Sequence, residues 1–575
     1  MNRKKYICAA LGLVLLHSCG TDKVICDGRV EIETKNTIRF SQNEKQLLCG
    51  DEDINSWKNV PLAQTEATIK EFLKGRGYYN TTFSLQNDGQ QLHVHTGDPY
   101  VVKEVKFIGE PEEFTDVKYI GWRKRSFTPG TLDDIEGYTL RRLKEIGYAC
   151  AEVKIQAIIE SQIVQVHIKP GKKHVFPEVS YDPEVTMKPE VLERYFAFHP
   201  GDPYNENLLT LSSRRIESDA VVSKSNFLPN CEEGKLSIDH RISQGTSRLV
   251  QLGAGVSTEE IPIFKASWKD SKVGDNASIL SADLYASHLR QILTLGYEWH
   301  AFDANRWYMK PLIEARRIDE VDQEYYNFTG SYSLGTKRDF RPFHLEILSG
   351  PAGVFEDAQE GPSIGQKQFA LWRNSIILNT HDYEVFMADP RRGGRLVVES
   401  SSIAWSSEHS VHAHWLNIYG TKLWNMFNYG PPKYVFGVRF GAESVMTTSS
   451  GDIRNALPQA FFSWLGGDMN LRGFSRREIP FVSTGAQSAA YADFEIRFAS
   501  LLMKDLDPFI FTDLGMYGLP NYNFNKRLYW SPGFGLRYQS PIGVVRGTMA
   551  HGFITGPGNP DHEHFQFFLS LGREF

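Results

Sequence analysis

Apolar residues alternate with polar or small ones from Arg248 onward, and this pattern limits what the second half of the chain can fold into. The first such stretch places Val250, Leu252, Ala254 and Val256 on one face and Gln251, Gly253 and Gly255 on the other. A period of two residues is typical of β-strands with one apolar face. Helical periodicity is missing from this half of the sequence, so we expect one strand after another.

The length and the tryptophans of this region suit a membrane-spanning barrel. Residues 248–575 comprise 328 positions (575 minus 247), and a tilted strand of roughly 9–11 residues crosses a bilayer. With turns and loops added, about twenty residues per strand would give about sixteen strands. Nine of the eleven tryptophans follow residue 250, which suits aromatic belts at both membrane interfaces. A soluble all-β domain would also use tryptophan, so this feature leaves that alternative open.

The apolar segments are too short for spanning helices. Residues 2–5 supply positive charge and residues 7–16 are almost wholly apolar, which predicts a signal peptide over residues 1–18. Beyond it the sequence has no apolar run of the roughly eighteen residues that a spanning helix requires. A membrane location would therefore require a β-barrel, because only helices and closed barrels satisfy their backbone hydrogen bonds in lipid.

The end of this signal peptide resembles a lipobox. Leu16 lies at the third position before the predicted cleavage point, Ser18 lies directly before it and Cys19 directly after it. The pattern predicts a bacterial lipoprotein acylated on Cys19, although His17 departs from the commonest sequence. Cleavage at a similar place without lipidation is the alternative.

Four further cysteines remain for an oxidising compartment. Cys26 and Cys49 fall within one predicted small domain, which favours a disulfide between them. A bond between Cys150 and Cys231 would have to join two domains. The sequence has no C-x-x-C motif, so we expect no zinc or redox site.

Charge and motifs argue against several classes of function. The net charge is −6 and the basic doublets are scattered along the chain, so we expect no nucleic-acid partner. Neither G-x-S-x-G nor H-E-x-x-H occurs, and we assign no catalytic residue and no cofactor. His562-Glu563-His564 adjoins a predicted surface loop, so we assign no metal site to it.

Three glycines divide the first half of the chain into repeats. Gly97, Gly171 and Gly245 lie 74 residues apart, and each closes a stretch of alternating polarity. Equal spacing is typical of a repeated module. Strands are predicted after the first two glycines, at residues 102–108 and 175–181.

Helical segments complete each repeat. They are predicted to begin near Thr128-Pro129-Gly130 and His199-Pro200-Gly201, and glycine–tyrosine pairs such as Gly147-Tyr148 suit a helix C-cap that leads into a strand. The resulting β-α-α-β-β order resembles the POTRA (polypeptide-transport-associated) domain. It predicts three α+β modules, at residues 19–97, 98–171 and 172–245. The third departs from the pattern, with Glu217-Ser218-Asp219 in place of the glycine–tyrosine pair.

The most specific motif lies in a glycine-rich turn of the second half. Leu471-Arg472-Gly473-Phe474 is followed by an alternating strand with Glu495, an aromatic–aspartate–glycine stretch at Asp513, and a last alternating strand. In this order the segments resemble the barrels of the BamA/TamA/two-partner-secretion superfamily. The resemblance implies POTRA repeats followed by a sixteen-stranded transmembrane antiparallel β-barrel over residues 248–575.

The resemblance also implies roles for the motif residues. Arg472, at the tip of a loop inside the barrel, should reach Asp513 on the wall, with Glu495 as a second acidic partner. A guanidinium fork suits such carboxylates. Gly473 would allow a tight turn, and Phe474 would pack against the inner wall. Replacing Arg472 with alanine should then reduce function more than barrel abundance.

A function follows from the same resemblance. If the seam between the first and last barrel strands is weak, a β-rich client can pair with its free edges by β-augmentation. We therefore expect an outer-membrane assembly or translocation factor with its POTRA modules in the periplasm. Its expected partners are the outer-membrane bilayer, unfolded barrel or autotransporter clients, and an inner-membrane-anchored periplasmic protein.

The number of modules favours the TamA branch of this superfamily. BamA usually carries five POTRA domains, and two-partner-secretion transporters usually carry two together with an N-terminal plug helix. Two alternatives stay open: an exporter of one dedicated substrate, and a passive pore whose repeats act only as a spacer.

Overall fold

The structure of the protein is a computed structural model. It describes residues 24–575 except 35–37, 52–59, 115–121, 183–186, 220, 244, 301–305, 341–342, 382–390, 409–410, 429–432, 450–452, 482–483, 500–505, 541–542, 557–563 and 572–575. The predicted signal peptide (residues 1–18) and the predicted lipidation site Cys19 lie outside the described residues.

The chain divides into two compact units. The first comprises Met1–Val179, His199–Asn207 and Pro229–Ile238, and the second comprises Ser180–Phe198, Leu208–Leu228 and Asp239–Phe575. Residues 172–245, predicted as the third module, therefore contribute to both units. The module boundaries given above remain predictions.

The first module is a four-stranded sheet covered by two helices. Its elements are β1 (Val24–Ile25), β2 (Val30–Glu33), α1 (Gln42–Cys49), α2 (Leu62–Gly75), β3 (Thr82–Gln86) and β4 (Gln91–His95). The sheet order is β1-β2-β4-β3, with β2 and β4 parallel. Ser41 and Glu44 form a capping box that fixes the start of α1. A disulfide joins Cys26 to Cys49 at the other end of that helix.

The second module repeats this arrangement with a three-stranded sheet. Its described elements are β5 (Glu104–Ile108), α3 (Pro129–Glu145), β6 (Glu152–Ile158) and β7 (Ile163–Lys169), in the sheet order β5-β7-β6. Helix α3 begins after Thr128, whose side chain accepts a hydrogen bond from the Thr131 N–H. Its buried face, with Ile135 and Leu143, packs on the sheet.

The third set of elements has the complete β-α-α-β-β order. It consists of β8 (Val179–Tyr181), α4 (Pro189–Glu193), α5 (Glu206–Ser218), β9 (Lys224–Glu232) and β10 (Lys235–Ser243), in the sheet order β8-β10-β9. A second disulfide joins Cys150, at the end of the turn after α3, to Cys231 in β9.

Three predicted boundaries differ from the structure. The strands expected at residues 102 and 175 begin later, at Glu104 and Val179. The residues just before them bridge other segments, Val101 with Ser126 and Val175 with Pro203. Helix α5 begins at Glu206 rather than near His199-Pro200-Gly201, because that stretch turns and Pro203 takes part in the bridge to Val175.

Sixteen strands form a closed antiparallel barrel, which confirms the predicted fold class of the second half. The elements are β11 (Arg248–Ser257), β12 (Ile263–Val273), β13 (Ser278–Ala286), β14 (Arg290–Glu298), β15 (Trp307–Glu320), β16 (Gln323–Asp339), β17 (His344–Glu360), β18 (Gly365–Asn379), β19 (Gly393–Ser406), β20 (Ala413–Asn425), β21 (Tyr434–Thr447), β22 (Ser488–Phe498), β23 (Leu506–Leu519), β24 (Asn523–Phe524), β25 (Leu528–Ser540), β26 (Gly543–Thr555) and β27 (His564–Leu571). Of these, β24 is a two-residue strand paired only with the end of β23, while β23 and β25 are barrel neighbours.

The barrel wall is apolar outside and polar inside. On β16 the exposed side chains include Tyr326, Phe328, Tyr332 and Leu334, whereas Thr329 is buried. Alternation along a strand places these two sets on opposite faces. Within the described ranges, every helix is too short or too polar to cross a bilayer.

Ion pairs within the second unit hold the end of α5 against the barrel. Asp219 lies 3.4 Å from Arg306 Nη2 and 3.6 Å from Lys337 Nζ, and all three side chains are largely buried. Arg215 donates a hydrogen bond of 2.7 Å to the Asp339 carbonyl oxygen. Buried charges are stable only when paired, so this segment is fixed to β16 and to the residue that precedes β15.

A buried histidine makes the stability of this region depend on pH. His240 lies against Phe227, with ring centroids 4.1 Å apart, and shares a 2.9 Å hydrogen bond with Ser225. Burial lowers the pKa of His240 from 6.5 to about 4. The folded state therefore holds the neutral ring, while the unfolded chain takes up a proton as the pH falls below 6.5.

We predict that full stability is present above pH 6.5 and is lost as the pH falls toward 4. The loss between pH 7.5 and pH 5 should be about 2 kcal/mol. Hydrogen exchange of β9 and β10 at the two pH values measures it. His240→Phe should remove most of the pH dependence, and His199→Gln, at a side chain 86% exposed, should leave it intact. Equal protection of the parent chain at both pH values would contradict the prediction.

Candidate functional site

The loop between β21 and β22 folds back into the barrel. Its described residues include two short 3-10 helices, Arg454–Ala456 and Gln459–Phe461. Leu471 and Phe474 are fully buried and Arg472 is 1% exposed, although all three lie in a connection between strands. Burial of a long loop requires partners for its polar groups, and the inner wall provides them.

Arg472 makes four hydrogen bonds to the barrel wall. Its Nε and backbone N–H donate to Asp513 Oδ2 at 2.9 and 3.0 Å, and its Nη2 donates to Oδ1 at 2.5 Å. Nη1 donates to Glu495 Oε2 at 3.1 Å. The guanidinium also lies 3.4 Å from the centroid of the Phe511 ring. One arginine thus binds the facing carboxylates of β22 and β23, in the two-pronged geometry that makes such pairs strong.

The residues beside Arg472 fill the space around it. Phe474 packs between Tyr529 and His564, at centroid distances of 5.7 and 4.9 Å. A Cβ atom at Gly473 would lie 2.6 Å from the Gly552 backbone. The requirement for glycine at this position therefore comes from close packing against β26. The tight turn we had expected Gly473 to permit is not the main constraint.

A second anchor holds the loop to another part of the wall. Gln459 receives a 2.9 Å hydrogen bond from Gln323 on β16. Its own N–H donates to Glu356 on β17 at 3.0 Å, and its side-chain amide donates to the Ser363 carbonyl at 2.8 Å. The loop therefore contacts the barrel wall at β16–β17 as well as at β22–β23.

Sequence reasoning missed several residues of this site. Asp468, two residues into the glycine-rich turn, pairs with the buried Arg546 of β26. Arg477 lies 3.7 Å from the Trp464 ring centroid and donates to Gln323 at 2.7 Å. The role of Arg546 could have been predicted from the sequence, because a charged side chain on the inward face of an alternating strand requires a partner in the lumen.

The seam between the first and last strands has a short described ladder. Pairing of β11 with β27 comprises Val256↔Leu571 and Ser257↔Ser570, whereas β11 pairs with β12 at eight positions. Just beyond the ladder the Thr258 N–H donates to the Leu569 carbonyl at 3.0 Å. Residues 572–575 lie outside the described part of the chain. Most of β11 is solvent-exposed on both faces, with Leu252 79% exposed.

The remaining predicted site residues lie elsewhere. Cys26 and Cys49 are joined in the first module, far along the chain from the barrel loop. Among the described residues, no group of three or more histidine, cysteine, aspartate or glutamate side chains is arranged to hold a metal ion. Of the triplet His562-Glu563-His564, only His564 is described.

Comparisons with known proteins match both the sequence and the fold. Residues 421–575 match the Omp85 superfamily domain. The chain is similar in fold to BamA from Haemophilus ducreyi lacking POTRA domains 1–3, with a TM-score of 0.57 and 14% identity over 82% of this chain and 100% of that one. CdiB from Acinetobacter baumannii aligns with 89% of this chain and 96% of its own, at 12% identity and a TM-score of 0.48.

We predict that Arg472→Ala releases the loop from the wall without unfolding the barrel. The substitution leaves Asp513 buried without the cation it binds, whereas Glu495 keeps Arg497 at 2.5 Å. Breaking a buried pair of this kind costs about 3–5 kcal/mol. Hydrogen exchange should therefore rise across residues 466–478, while the barrel strands stay protected. Arg472→Lys keeps the charge without the fork and should give a smaller increase.

Arg316→Ala is the matched control, because Arg316 is a wall arginine paired with Glu314 at 2.6 Å. The substitution removes a paired arginine of the wall, and among the described residues this arginine has no contact with the loop. Unchanged exchange of residues 466–478 in Arg472→Ala would show that the fork does not hold the loop.

Proposed function

This chain is an Omp85 superfamily member of the BamA/TamA type, and we propose that it inserts or exports β-rich clients through the seam between its first and last barrel strands. Its barrel lies in the bacterial outer membrane and its POTRA domains lie in the periplasm. Members of this superfamily are transport and assembly proteins without enzymatic activity.

The proposal rests on the described pairing at the seam and on the exposure of the first barrel strand. The described β11–β27 ladder has two residue pairs, and most of β11 is exposed on both faces. An exposed strand at the edge of a sheet is a template for another strand. An incoming client strand can therefore gain main-chain hydrogen bonds at this edge, as in β-augmentation.

The lumen loop has a structural role in this proposal. Arg472, Asp513 and Glu495 fix the loop to β22 and β23, and Gln459 fixes it to β16 and β17. These contacts fix the loop to two parts of the wall that lie away from the seam strands β11 and β27. On this proposal the seam strands part while these two regions stay fixed to the loop.

The partners follow from the same mechanism. Clients would be unfolded barrel proteins or autotransporters, whose edge strands can pair with β11 or β27. We place the chain in the TamA branch, on the three predicted modules at residues 19–97, 98–171 and 172–245, with an inner-membrane-anchored periplasmic partner. Lipidation of Cys19, within the same proposal, would tether the first module to a membrane and limit its reach.

A reversible lock across the seam tests the lateral route. Ser257 and Ser570 are paired in the register and both are buried, so Ser257→Cys with Ser570→Cys should form a disulfide across the seam. We expect the oxidised form to lose client assembly at least tenfold and to regain it on mild reduction. Assembly of a client barrel, followed by its heat-modifiable mobility in gels, gives the measurement.

A matched lock elsewhere in the barrel provides the control. Ser331 and Ala352 face each other on β16 and β17, two strands whose register comprises fourteen residue pairs. Ser331→Cys with Ala352→Cys should leave assembly unchanged in both redox states. Normal assembly by the oxidised seam variant would refute the lateral route.

Depletion of the protein distinguishes an assembly factor from a dedicated exporter. We expect the levels of several outer-membrane barrel proteins to fall together, because a strand-pairing seam recognises backbone rather than one sequence. Quantitative proteomics of the outer membrane and of the secreted fraction measures this effect. Loss of one secreted protein with unchanged barrels would instead indicate a dedicated exporter, and a large, steady conductance without either loss would indicate a passive pore.

A further inference from the structure

The loop segment directly after the motif contacts both sides of the seam. This segment, Ser475–Glu478, is called the latch below. It extends from the buried Phe474 toward the turn between β11 and β12 and toward the start of β27. Its contacts are separate from those of Arg472, which binds β22 and β23.

On the first-strand side the latch binds an acidic turn. Arg476 Nη1 lies 3.6 Å from Glu259 Oε2, and Nη2 lies 3.4 Å from Glu260 Oε1. The side chains of these glutamates are 4% and 0% exposed, so their charges depend on partners within the protein. The Asp468 N–H adds a hydrogen bond of 3.1 Å to Glu259 Oε1.

Close packing reinforces this contact. A Cβ atom at Gly467 would lie 2.3 Å from Glu259 Oε1, and Gly467 has a φ of +101°. The positive φ favours glycine at this point of the loop. The loop backbone lies directly against the Glu259 carboxylate.

On the last-strand side the latch binds β27. Gln566 Nε2 donates to Ser475 Oγ at 3.0 Å, and His564 Nδ1 lies 3.0 Å from Glu478 Oε1. The His564 ring also packs on Phe474. Three of the four latch residues thus provide polar contacts to β27 or to the turn after β11, while Arg477 contacts Gln323 of β16.

Arg476 also connects the acidic turn to a strand away from the seam. Its Nε donates to Glu320 Oε2 of β15 at 2.8 Å, and its Nη2 donates to Glu320 Oε1 at 2.5 Å. Arg290 of β14 lies in the same cluster, 2.8 Å from Glu260 Oε1 and 3.7 Å from Glu320. Three carboxylates thus converge here, and removal of Arg476 would leave them facing mainly Arg290.

We propose that the latch holds the seam closed from inside the barrel, with Arg476 as the residue that positions the β11–β12 turn against β27. The inference rests on the proposed function in taking this seam as the route for clients. For the seam to part, Glu259 and Glu260 must leave Arg476, or Ser475 and Glu478 must leave β27. The loop therefore holds the seam closed through the latch, and it binds the wall through Arg472 and Gln459.

Cross-linking of the seam without any client tests the latch. The Ser257→Cys, Ser570→Cys pair is placed in the full-length chain, purified and reconstituted in vesicles of outer-membrane lipid. The initial rate of disulfide formation under limiting oxidant reports the fraction of closed seam. Adding Arg476→Ala should lower that rate at least fivefold, because Glu259, Glu260 and Glu320 lose the cation they share and the turn loses its contact with the loop.

Four further variants sharpen the test. Glu259→Gln with Glu260→Gln should also slow cross-linking, and adding Arg476→Ala to that pair should slow it no further. Glu478→Gln, which removes the negative charge that faces His564, should slow it less than Arg476→Ala. Arg316→Ala should leave it unchanged. Heat-modifiable mobility in gels checks that each variant retains a folded barrel.

The outcomes separate the latch from the proposed function. An unchanged rate in folded Arg476→Ala, or an equal decrease in Arg316→Ala, would overturn the latch. Because the measurement contains no client, a fivefold decrease supports the latch even if the oxidised seam variant still assembles clients. That second result would refute the lateral route alone.

Discussion

The fork of Arg472 on Asp513 and Glu495 is the interaction on which the arrangement of the barrel lumen depends. It places a cation and two carboxylates, all nearly inaccessible to solvent, between a loop and two neighbouring strands. Each charge would be costly to bury alone, whereas together they fix the loop at one depth and in one orientation. Phe474, Asp468 and the Gln459 anchor can reach their own partners only because the loop is held there.

As a consequence, the described contacts of the loop with the barrel wall are concentrated on particular strands. Loop contacts bind β16–β17 and β22–β23 through buried hydrogen bonds, while the described ladder between β11 and β27 has two pairs. Stability in such a structure is local, and these contacts stabilise the parts of the wall that the loop binds. The contacts of Arg476 and Glu478 lie at the seam, so one loop contacts both the wall and the seam.

Much of the fold was accessible from sequence, and the reasons are physical. The alternation beginning at Val250 reflects a wall with lipid on one side and a polar lumen on the other, so every strand carries the same signal. Gly97, Gly171 and Gly245 adopt positive φ, which explains why the repeats could be located by their glycines. The start of α5 was misplaced because Pro203 forms a bridge with Val175, a contact between distant residues that no local pattern reports.

The sequence by itself determined the class of each half, the motif Leu471–Phe474 and the acidic residues that could face it, since periodicity and residue chemistry are local properties. Only the tertiary structure decided that Asp468 faces Arg546, that Gly473 is required by the backbone of Gly552, and that Arg476 meets Glu259, Glu260 and Glu320. These contacts join residues separated by up to 217 positions (476 minus 259). Their pairing depends on barrel closure and strand register, which bring distant residues to one side of the lumen.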